Sequence, residues 1–254
     1  MNPRIWFPES SDDDWSAHAD HLDDEGFLVG SIGGLLVEHQ GRTLLIDAGY
    51  GAHQVSAEQS HPALGRLIGG DLLNGFRRIG RSLADVDVLA LTHFHDDHVG
   101  WALPRPGQAP AFREATVVAS AVEWTAPSPL RASRDPSQRL VRAGDGEEIF
   151  PGVTVWRTPG HTAGHTAYVL SSAGRRLIAF GDTMHTPVQI GHPQWRSVFD
   201  ADHAAAVRSR QALIAALAEP DTVGFGVHFA DVVFGRVITG AQGPSWEPVD
   251  DPGW

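Results

Sequence analysis

Histidine and aspartate are concentrated in one short stretch of the chain, Thr92-His93-Phe94-His95-Asp96-Asp97-His98-Val99-Gly100. On a helix, residues two apart do not face each other, so His93 and His95 could not share a metal ion there. In an extended segment they project from one face, and Asp97 continues that row. His98 can join them only if the strand ends and the chain turns near Gly100. The spacing therefore predicts a strand that runs out into a loop around a metal centre.

Three further positions offer potential ligands, each directly after a predicted strand. His161 lies in a turn rich in Pro and Gly, which forces the chain to present the imidazole at the sheet edge. Asp182 and His228 each follow the last residues of an apolar run. Strands that each end in a ligand would build a metal site on one rim of a β-scaffold. His165 is expected to be structural, because the turn at His161 would have to point two ways to present both rings.

The composition excludes Cys-based and Lys-based chemistry and leaves many residues that can bind metal ions. The chain has no Cys, which excludes disulfides, thiolate ligands and a Cys nucleophile. All 19 basic residues are Arg, so a Schiff-base lysine and a P-loop lysine are also excluded. The 14 His and the many Asp that remain suit zinc, iron or manganese. A net charge of -12 removes the attraction to phosphate backbones, so we expect no nucleic-acid partner.

Apolar, β-branched runs indicate strands in two groups, with helices between them. Helical spacing predicts a short helix between Asp71 and Gly80 and an Ala-rich helix, Ala204–Ala218, capped by Asp202. Hairpin-like turns are predicted at Gln40-Gly41 and Ser172-Ala173-Gly174. This order predicts an α/β fold, a sandwich of two mixed β-sheets flanked by helices. The predicted strands are Leu28–Val37, Thr43–Ile46, Val86–Leu91, Thr116–Ala119, Val153–Arg157, Thr166–Ser171, Arg175–Phe180 and Thr222–Val227.

We expect one domain over residues 1–254, in which residues 1–25 form a polar N-terminal arm, either solvated or crossing the body of the protein, without chemistry. The Pro-rich stretches Leu103–Pro110 and Pro127–Pro136 are predicted to be loops that form pocket walls or lids. No run approaches the roughly 18 apolar residues of a membrane span, and the first thirty residues are acidic where a secretory leader would be basic. A cytoplasmic protein without a membrane partner is therefore expected.

The motifs together resemble the metallo-β-lactamase superfamily, in the order which that family uses over about residues 28 to 230. The resemblance rests on the HxHxDH block His93 to His98, the Gly160-His161-Thr162 turn, Gly181-Asp182 and His228. It implies an αββα sandwich and two divalent metal ions, zinc before iron, manganese or cobalt. One metal would be held by His93, His95 and His161 and the other by Asp97, His98 and His228, with Asp182 bridging the two. Asp47 resembles the carboxylate that steadies the first His pair.

Comparison of the branches of the superfamily favours one branch. The commonest β-lactamases need a Cys that this chain lacks, and glyoxalase II-like thioesterases need basic residues where this chain has Trp246 to Asp251. RNA-processing members need a basic surface. The segments His98–Trp101, Gly181–His185 and Gly226–Phe229 are most similar to the branch with N-acyl-homoserine lactonases and methyl-parathion-type organophosphate hydrolases.

The resemblance implies a hydrolase in which a metal-bridging hydroxide opens a lactone or cleaves an ester. Asp97 or His185 would carry the proton to the leaving group. Prototype lactonases have a Tyr at the position of His185. An organophosphate or aryl-ester hydrolase and a catalytically silent ligand-binding protein are the alternatives. We expect a small neutral or apolar substrate and a possible homodimer, with the pocket walled by Trp101, Trp195, Phe199 and Phe229.

Overall fold

Two mixed β-sheets form the centre of this α/β protein, whose computed structural model describes residues 1–103, 111–128, 130, 138–241 and 243–251. Two short strands, β3 (Gln54–Val55) and β4 (Leu67–Ile68), pair separately. The first sheet consists of β1 (Leu35–His39), β2 (Arg42–Ile46), β5 (Val88–Ala90), β6 (Thr116–Ser120) and β7 (Leu140–Ala143). The second consists of β8 (Glu148–Phe150), β9 (Val153–Arg157), β10 (Thr166–Ser172), β11 (Arg175–Ala179), β12 (Thr222–Phe225), β13 (Phe234–Gly240) and β14 (Gly243–Pro248). In space, the first sheet has the order β1-β2-β5-β6-β7 and the second the order β14-β13-β12-β11-β10-β9-β8.

The helices of the described chain are mostly short. They are α1 (Pro3–Trp6), α2 (Asp12–Ala17), α3 (Leu72–Arg78), α4 (Asp96–Val99), α5 (Val188–Gly191) and α6 (His203–Leu217). Single 3-10 turns occupy Ala19–His21, Leu83–Asp85, Glu123–Thr125 and Gly181–Thr183. In the parts of the chain that the structure describes, no helix has the length and apolarity needed to span a membrane.

The two sheets pack face to face, with helices on both outer sides. Val88 of β5 and Val118 of β6 lie in one buried cluster with Val155 of β9 and Leu177 of β11. Phe76 of α3 packs in a second cluster on the outer side of the first sheet. Leu213 and Leu217 of α6 belong to a third cluster on the outer side of the second sheet. This layering confirms the predicted αββα sandwich.

The predicted elements agree with the observed ones where a strand has a buried face and a defined turn. Gln40 and Gly41 have positive φ angles of 51° and 76°, as the two-residue hairpin between β1 and β2 requires. The strand predicted from Leu28 begins only at Leu35, because the intervening glycines leave the backbone irregular. A Cβ on Gly34 would lie 2.3 Å from Asp47 O, so this close approach needs glycine. Sequence reasoning missed β3, β4, β7, β8, β13 and β14.

Of the two expectations for the N-terminal segment, the solvated arm fails, because the segment packs against the body of the protein. Trp6, Phe7 and Trp15 are buried in one cluster with Leu28 and Trp195. The backbone N–H of Leu28 donates to Met1 O, and that of Val198 donates to Trp6 O. The prediction was wrong because it weighed the acidic residues and not the buried aromatic residues between them.

The predicted Pro-rich loops fall almost wholly outside the described residues. This holds for 104–110 in the first stretch and for 129 and 131–136 in the second. Their role as pocket walls or lids stays a prediction.

Candidate metal centre

The predicted ligand positions meet at one end of the sandwich because the preceding strands end there. β11 and β12 are parallel, so Asp182 and His228 leave the second sheet at the same edge. The N–H of Thr166 donates to Thr92 O and joins β10 to the segment after β5. The Tyr168 hydroxyl donates to Leu91 O, 2.8 Å away, across the two sheets. These bonds fix the His-rich segment against the sheet that carries the other ligands.

The His-rich segment leaves β5 as an extended stretch and then turns into a short helix. His95 has extended backbone angles and stands just before α4, which contains Asp97 and His98. The sequence predicted that Asp97 continues the row of His93 and His95. This was wrong, because Asp97 lies in α4. The helical turn reverses the chain early enough to bring His98 back beside His93, with ring centroids 4.1 Å apart.

The carboxylate of Asp182 lies between two groups of imidazoles. Its Oδ1 atom is 2.9 Å from His98 Nε2 and 3.0 Å from His228 Nε2. Its Oδ2 atom is 3.1 Å from His161 Nε2 and 3.8 Å from His93 Nε2. Each oxygen thus faces a different group, which is the arrangement that a carboxylate bridging two cations needs.

The seven predicted ligands form two compact sets of donor atoms. His93, His95, His161 and Asp182 each offer an atom within 4.8 Å of the others, and Asp97, His98 and His228 do the same. Asp97 Oδ2 is 3.7 Å from His98 Nε2 and 3.6 Å from His228 Nε2. Such sets of imidazole nitrogens and carboxylate oxygens suit divalent zinc, iron, manganese or cobalt.

The Nδ1 contacts of three of the imidazoles turn their Nε2 atoms towards the cluster. The Nδ1 atoms of His93, His98 and His228 contact Thr92 Oγ1, Asp47 Oδ2 and Ser31 O at 3.1, 2.9 and 2.8 Å. His93 Nε2 and His98 Nε2 are buried, lack a hydrogen bond of regular geometry to any described residue, and both face the Asp182 carboxylate. Buried polar atoms without partners are rare in folded proteins, so their convergence fits a metal site.

The electrostatics of the cluster favour positive charge next to the Asp182 carboxylate. Burial would raise the pKa of Asp182, but the surrounding imidazoles, led by His98, hold it well below its usual range. Burial lowers the pKa of His161, but Asp182 more than offsets this and raises it to about 9. Burial and the neighbouring His161 lower the pKa of His95 to about 4. Asp182 is thus ionised and draws either protons or cations into the cluster.

Asp47 supports a different ligand from the one that the resemblance implied. Its Oδ2 atom lies 2.9 Å from His98 Nδ1, in the second set of ligands. Its Oδ1 atom accepts the backbone N–H of Thr92 at 2.8 Å. Asp47 thus reaches His93 of the first pair only through the Thr92 hydroxyl, because it stands at the end of β2 beside α4.

Other buried side chains that position the ligand loops have no metal-facing role. His165 accepts the backbone N–H of Asp182 at Nε2 and contacts the Thr158 hydroxyl at Nδ1, so both ring nitrogens are used. Glu123 accepts the Phe94 N–H with one oxygen and the Thr162 hydroxyl with the other, and it links two ligand loops. Sequence reasoning missed Glu123, because its partners are distant along the chain and no local pattern marks it.

His185 lies inside the cluster and has an aromatic neighbour from the N-terminal segment. Its Nε2 atom is 3.2 Å from Asp182 Oδ2, and its backbone N–H donates to Gln189 Oε1 at 2.7 Å. The Trp6 ring contacts the His185 ring edge-on, with centroids 5.3 Å apart. Sequence reasoning missed Trp6 because it assigned the N-terminal segment to solvent.

The predicted pocket residues lie in different surroundings. Phe199 packs on Trp6, with centroids 5.0 Å apart, and Trp195 belongs to the same aromatic cluster. Trp101 lies in the core outside the first sheet. Phe229 packs in the core outside the second sheet and also lines a cavity of about 540 Å³. Their role in binding substrate stays a prediction.

Several solved structures share this fold. AidC, a dizinc quorum-quenching lactonase in complex with a product N-hexanoyl-L-homoserine, is 22% identical with a TM-score of 0.81, over 98% of this chain and 90% of that chain. The hydrolase AbOPH is 22% identical with a TM-score of 0.79, over 99% and 91%. A probable metal-dependent hydrolase from Staphylococcus aureus is 19% identical with a TM-score of 0.80, over 99% and 93%. At these identities the likeness shows the fold.

Sequence comparison gives the family. No curated protein sequence matches this chain significantly. The family model described as the metallo-beta-lactamase superfamily matches residues 34–227, which include all seven potential ligands except His228. Because the match covers most of the chain and the sandwich has the corresponding layers, this protein belongs to the metallo-beta-lactamase superfamily.

Proposed function

We propose that this superfamily hydrolase holds two divalent cations and opens the ring of a neutral lactone or cleaves a related ester. N-acyl-homoserine lactones are the first substrate class to test, because AidC and a second lactonase of the same fold hold N-hexanoyl-L-homoserine as product. The observation that carries the proposal is the position of Asp182, whose two oxygens face two separate sets of imidazoles. A single-metal site has no need of that arrangement.

The chain supplies the ligands in two sets joined by one carboxylate. His93, His95 and His161 would hold one cation, and Asp97, His98 and His228 the other. When bound, a pair of divalent cations lowers the pKa of a shared water and polarises a carbonyl oxygen. The buried imidazoles exclude bulk water from this place, which strengthens every charge interaction within it.

His185 and Asp97 are the groups that we propose to act on the substrate. His185 is buried next to Asp182 and is oriented by Gln189, so its ring has a fixed position at the cluster. Asp97 is 30% exposed at its side chain, the most accessible carboxylate of the centre. Asp97 can therefore pass a proton between the leaving oxygen and solvent, while His185 contacts the substrate oxygen.

The surroundings favour a neutral substrate with an apolar part. The net charge of -12 repels anions. The cavity of about 540 Å³ is walled by Thr186 and Phe229, which directly follow His185 and His228 in the chain. Leu28 and Val29 add apolar surface to it, Asp20, His21 and Asp231 add polar groups, and none of the seven potential ligands lines it. Its volume is in the range of pockets for small molecules, so it could take an acyl chain.

A substrate panel tests the proposal. Zinc-loaded and manganese-loaded protein would be assayed on N-hexanoyl-homoserine lactone, a simple γ-lactone, an aryl ester and a phosphotriester. We expect the highest kcat/KM on the lactones. Faster turnover of the aryl ester or the phosphotriester would favour the organophosphate-hydrolase alternative. Two bound metals with no turnover of any substrate would favour a ligand-binding protein.

A second experiment isolates His185. His185→Phe keeps a ring against Trp6 but removes both ring nitrogens and with them the contact to the substrate oxygen, so we expect kcat to fall about 10²–10³-fold while the zinc content stays unchanged. Exposed His39→Phe is the matched control, since it lies on β1 and should leave kcat at the wild-type value. Unchanged kcat in His185→Phe would contradict the assigned role.

A further inference from the structure

A buried ion pair lies directly behind His161. The Nε2 atom of the His161 ring faces Asp182, and its Nδ1 atom is 3.4 Å from Asp200 Oδ1. The other oxygen of Asp200 lies 3.1 Å from Arg210 Nη1. The side chains of Asp200 and Arg210 are fully buried. A chain of contacts thus connects α6, through Asp200, to a potential metal ligand.

The remaining contacts of the pair fix its orientation. Arg210 Nε donates to Pro193 O at 2.9 Å, and the Ser197 N–H donates to Asp200 Oδ2 at 3.0 Å. Oδ2 is therefore satisfied, whereas Oδ1 and His161 Nδ1 are buried and have no hydrogen-bond partner among the described residues. A movement of about 0.5 Å would bring these two atoms to an ordinary hydrogen-bond distance.

The backbone around the pair holds the same turn. The N–H of Ala201 donates to His161 O at 3.1 Å, and the N–H of Asp202 donates to Gly160 O at 2.9 Å. Asp202 also caps α6 by accepting the N–H of Ala205. The carboxylate of Asp200 is thus held in place relative to the His161 ring from both sides.

A role in stability alone does not explain these two charges. Burying an ion pair costs desolvation energy, and apolar residues of the same volume often serve stability as well or better. A carboxylate on the far nitrogen of a metal-binding imidazole, by contrast, fixes its tautomer and raises its basicity. We propose that Asp200, held by Arg210, is a positioning residue that orients His161 for metal binding through Nε2.

The other set of ligands has its own positioning carboxylate, which provides a matched comparison. Asp47 contacts His98 Nδ1 at 2.9 Å, as Asp200 contacts His161 Nδ1. The two carboxylates support different sets of ligands. Their loss should therefore weaken different metal positions, which a general loss of stability would not do.

The test compares Asp200→Asn with Asp47→Asn in zinc-loaded protein. Competition with a chelator gives the affinities, and zinc anomalous scattering from crystals gives the occupancy at each position. We expect Asp200→Asn to weaken zinc about 10–100-fold at the set with His161, and Asp47→Asn to do so at the set with His98. Glu219→Gln, in an exposed pair with Arg176, should leave both positions filled.

A double variant separates positioning from folding. Asp200→Asn leaves Arg210 buried without its partner and could unfold the protein, whereas Asp200→Asn/Arg210→Met removes both charges. We expect the double variant to unfold near the wild-type temperature and still to lose zinc at the His161 set. Full zinc occupancy there in either folded variant, or equal loss at both positions, would overturn the inference.

The inference rests on the metal-binding part of the proposed function, and the two can fail separately. Wild-type protein that binds no zinc would contradict the proposed function, and the inference with it. Wild-type protein with two zinc ions, together with variants that keep both, would contradict the role of Asp200 alone.

Discussion

At the scale of single residues, Asp182 occupies the middle of the proposed metal centre. It is buried, its two oxygens face two sets of imidazoles, and its backbone N–H donates to His165. The fold therefore fixes the carboxylate from behind and leaves both oxygens for the cluster. Sequence reasoning could place Asp182 at the end of β11, because a strand followed by Gly-Asp is a local pattern. Which atom faces which imidazole depends on tertiary packing.

The replacement of this carboxylate by an amide tests its bridging role. In Asp182→Asn only one oxygen remains, so we expect the protein to lose zinc from the pair of metal positions. We also expect kcat/KM to fall by more than the roughly 10–100-fold that loss of an outer hydrogen-bond partner of a ligand costs. Elemental analysis after dialysis and a lactone assay measure both effects. The control is Asp71→Asn at the exposed start of α3. An Asp182→Asn protein with full zinc and full activity would refute the bridging role.

At the scale of elements, the potential ligand His161 lies in a turn whose backbone conformation and close packing require glycine. Gly160 has a φ of +139°, and a Cβ there would lie 2.2 Å from Ala206 N in the first turn of α6. Position 160 needs glycine because the turn before His161 lies so close to this helix. The sequence indicated a tight turn from Pro159 and Gly160. The approach of α6 could not be predicted, because no local pattern records it.

A substitution in this turn tests the contact. Gly160→Ala should lower the free energy of unfolding by about 2–4 kcal/mol, through overpacking and positive φ together. Gly174→Ala, in a hairpin with φ of +80° and open space around the Cβ, should cost only about 1 kcal/mol.

Urea unfolding measures both costs, and a zinc titration should show weaker binding in Gly160→Ala only. Equal losses of unfolding free energy for the two glycine variants would contradict the close contact between α6 and the turn at Gly160.

Element prediction failed where the pattern was too short or lacked a buried face. α4 has four residues, too few to show helical periodicity, and it moves Asp97 off the row that the sequence predicted. β13 and β14 form a hairpin at the sheet edge with many exposed residues, so the alternation of apolar and polar residues is weak. The inner strands β9, β10 and β11 were predicted well, since apolar runs bounded by turns mark them.

At the scale of the whole molecule, the N-terminal segment joins the sandwich beside the metal centre. Trp6 contacts His185 and Phe199, while Phe7 and Trp15 pack with Trp195. The segment thus forms part of the surroundings of the site. Its acidic residues concealed this, because only tertiary structure shows that the aromatic side chains between them meet the residues around 190.

A pair of truncations in this segment tests its packing. Phe7→Ala removes a fully buried ring and should lower the free energy of unfolding by about 3–5 kcal/mol. Ile5→Ala, two residues earlier and 39% exposed, should cost less than about 1 kcal/mol. Urea denaturation of the zinc-loaded protein measures both. Similar small losses in the two variants would restore the solvated arm that the sequence suggested.

In the proposed metal centre, seven side chains, with Asp182 in the middle, bind two divalent cations. The most direct measurement is the zinc content of wild-type protein that has been stripped with chelator, reloaded with excess zinc and dialysed, determined by elemental analysis. The ligand arrangement predicts two zinc ions per chain. A content of one zinc ion or less per chain would contradict it.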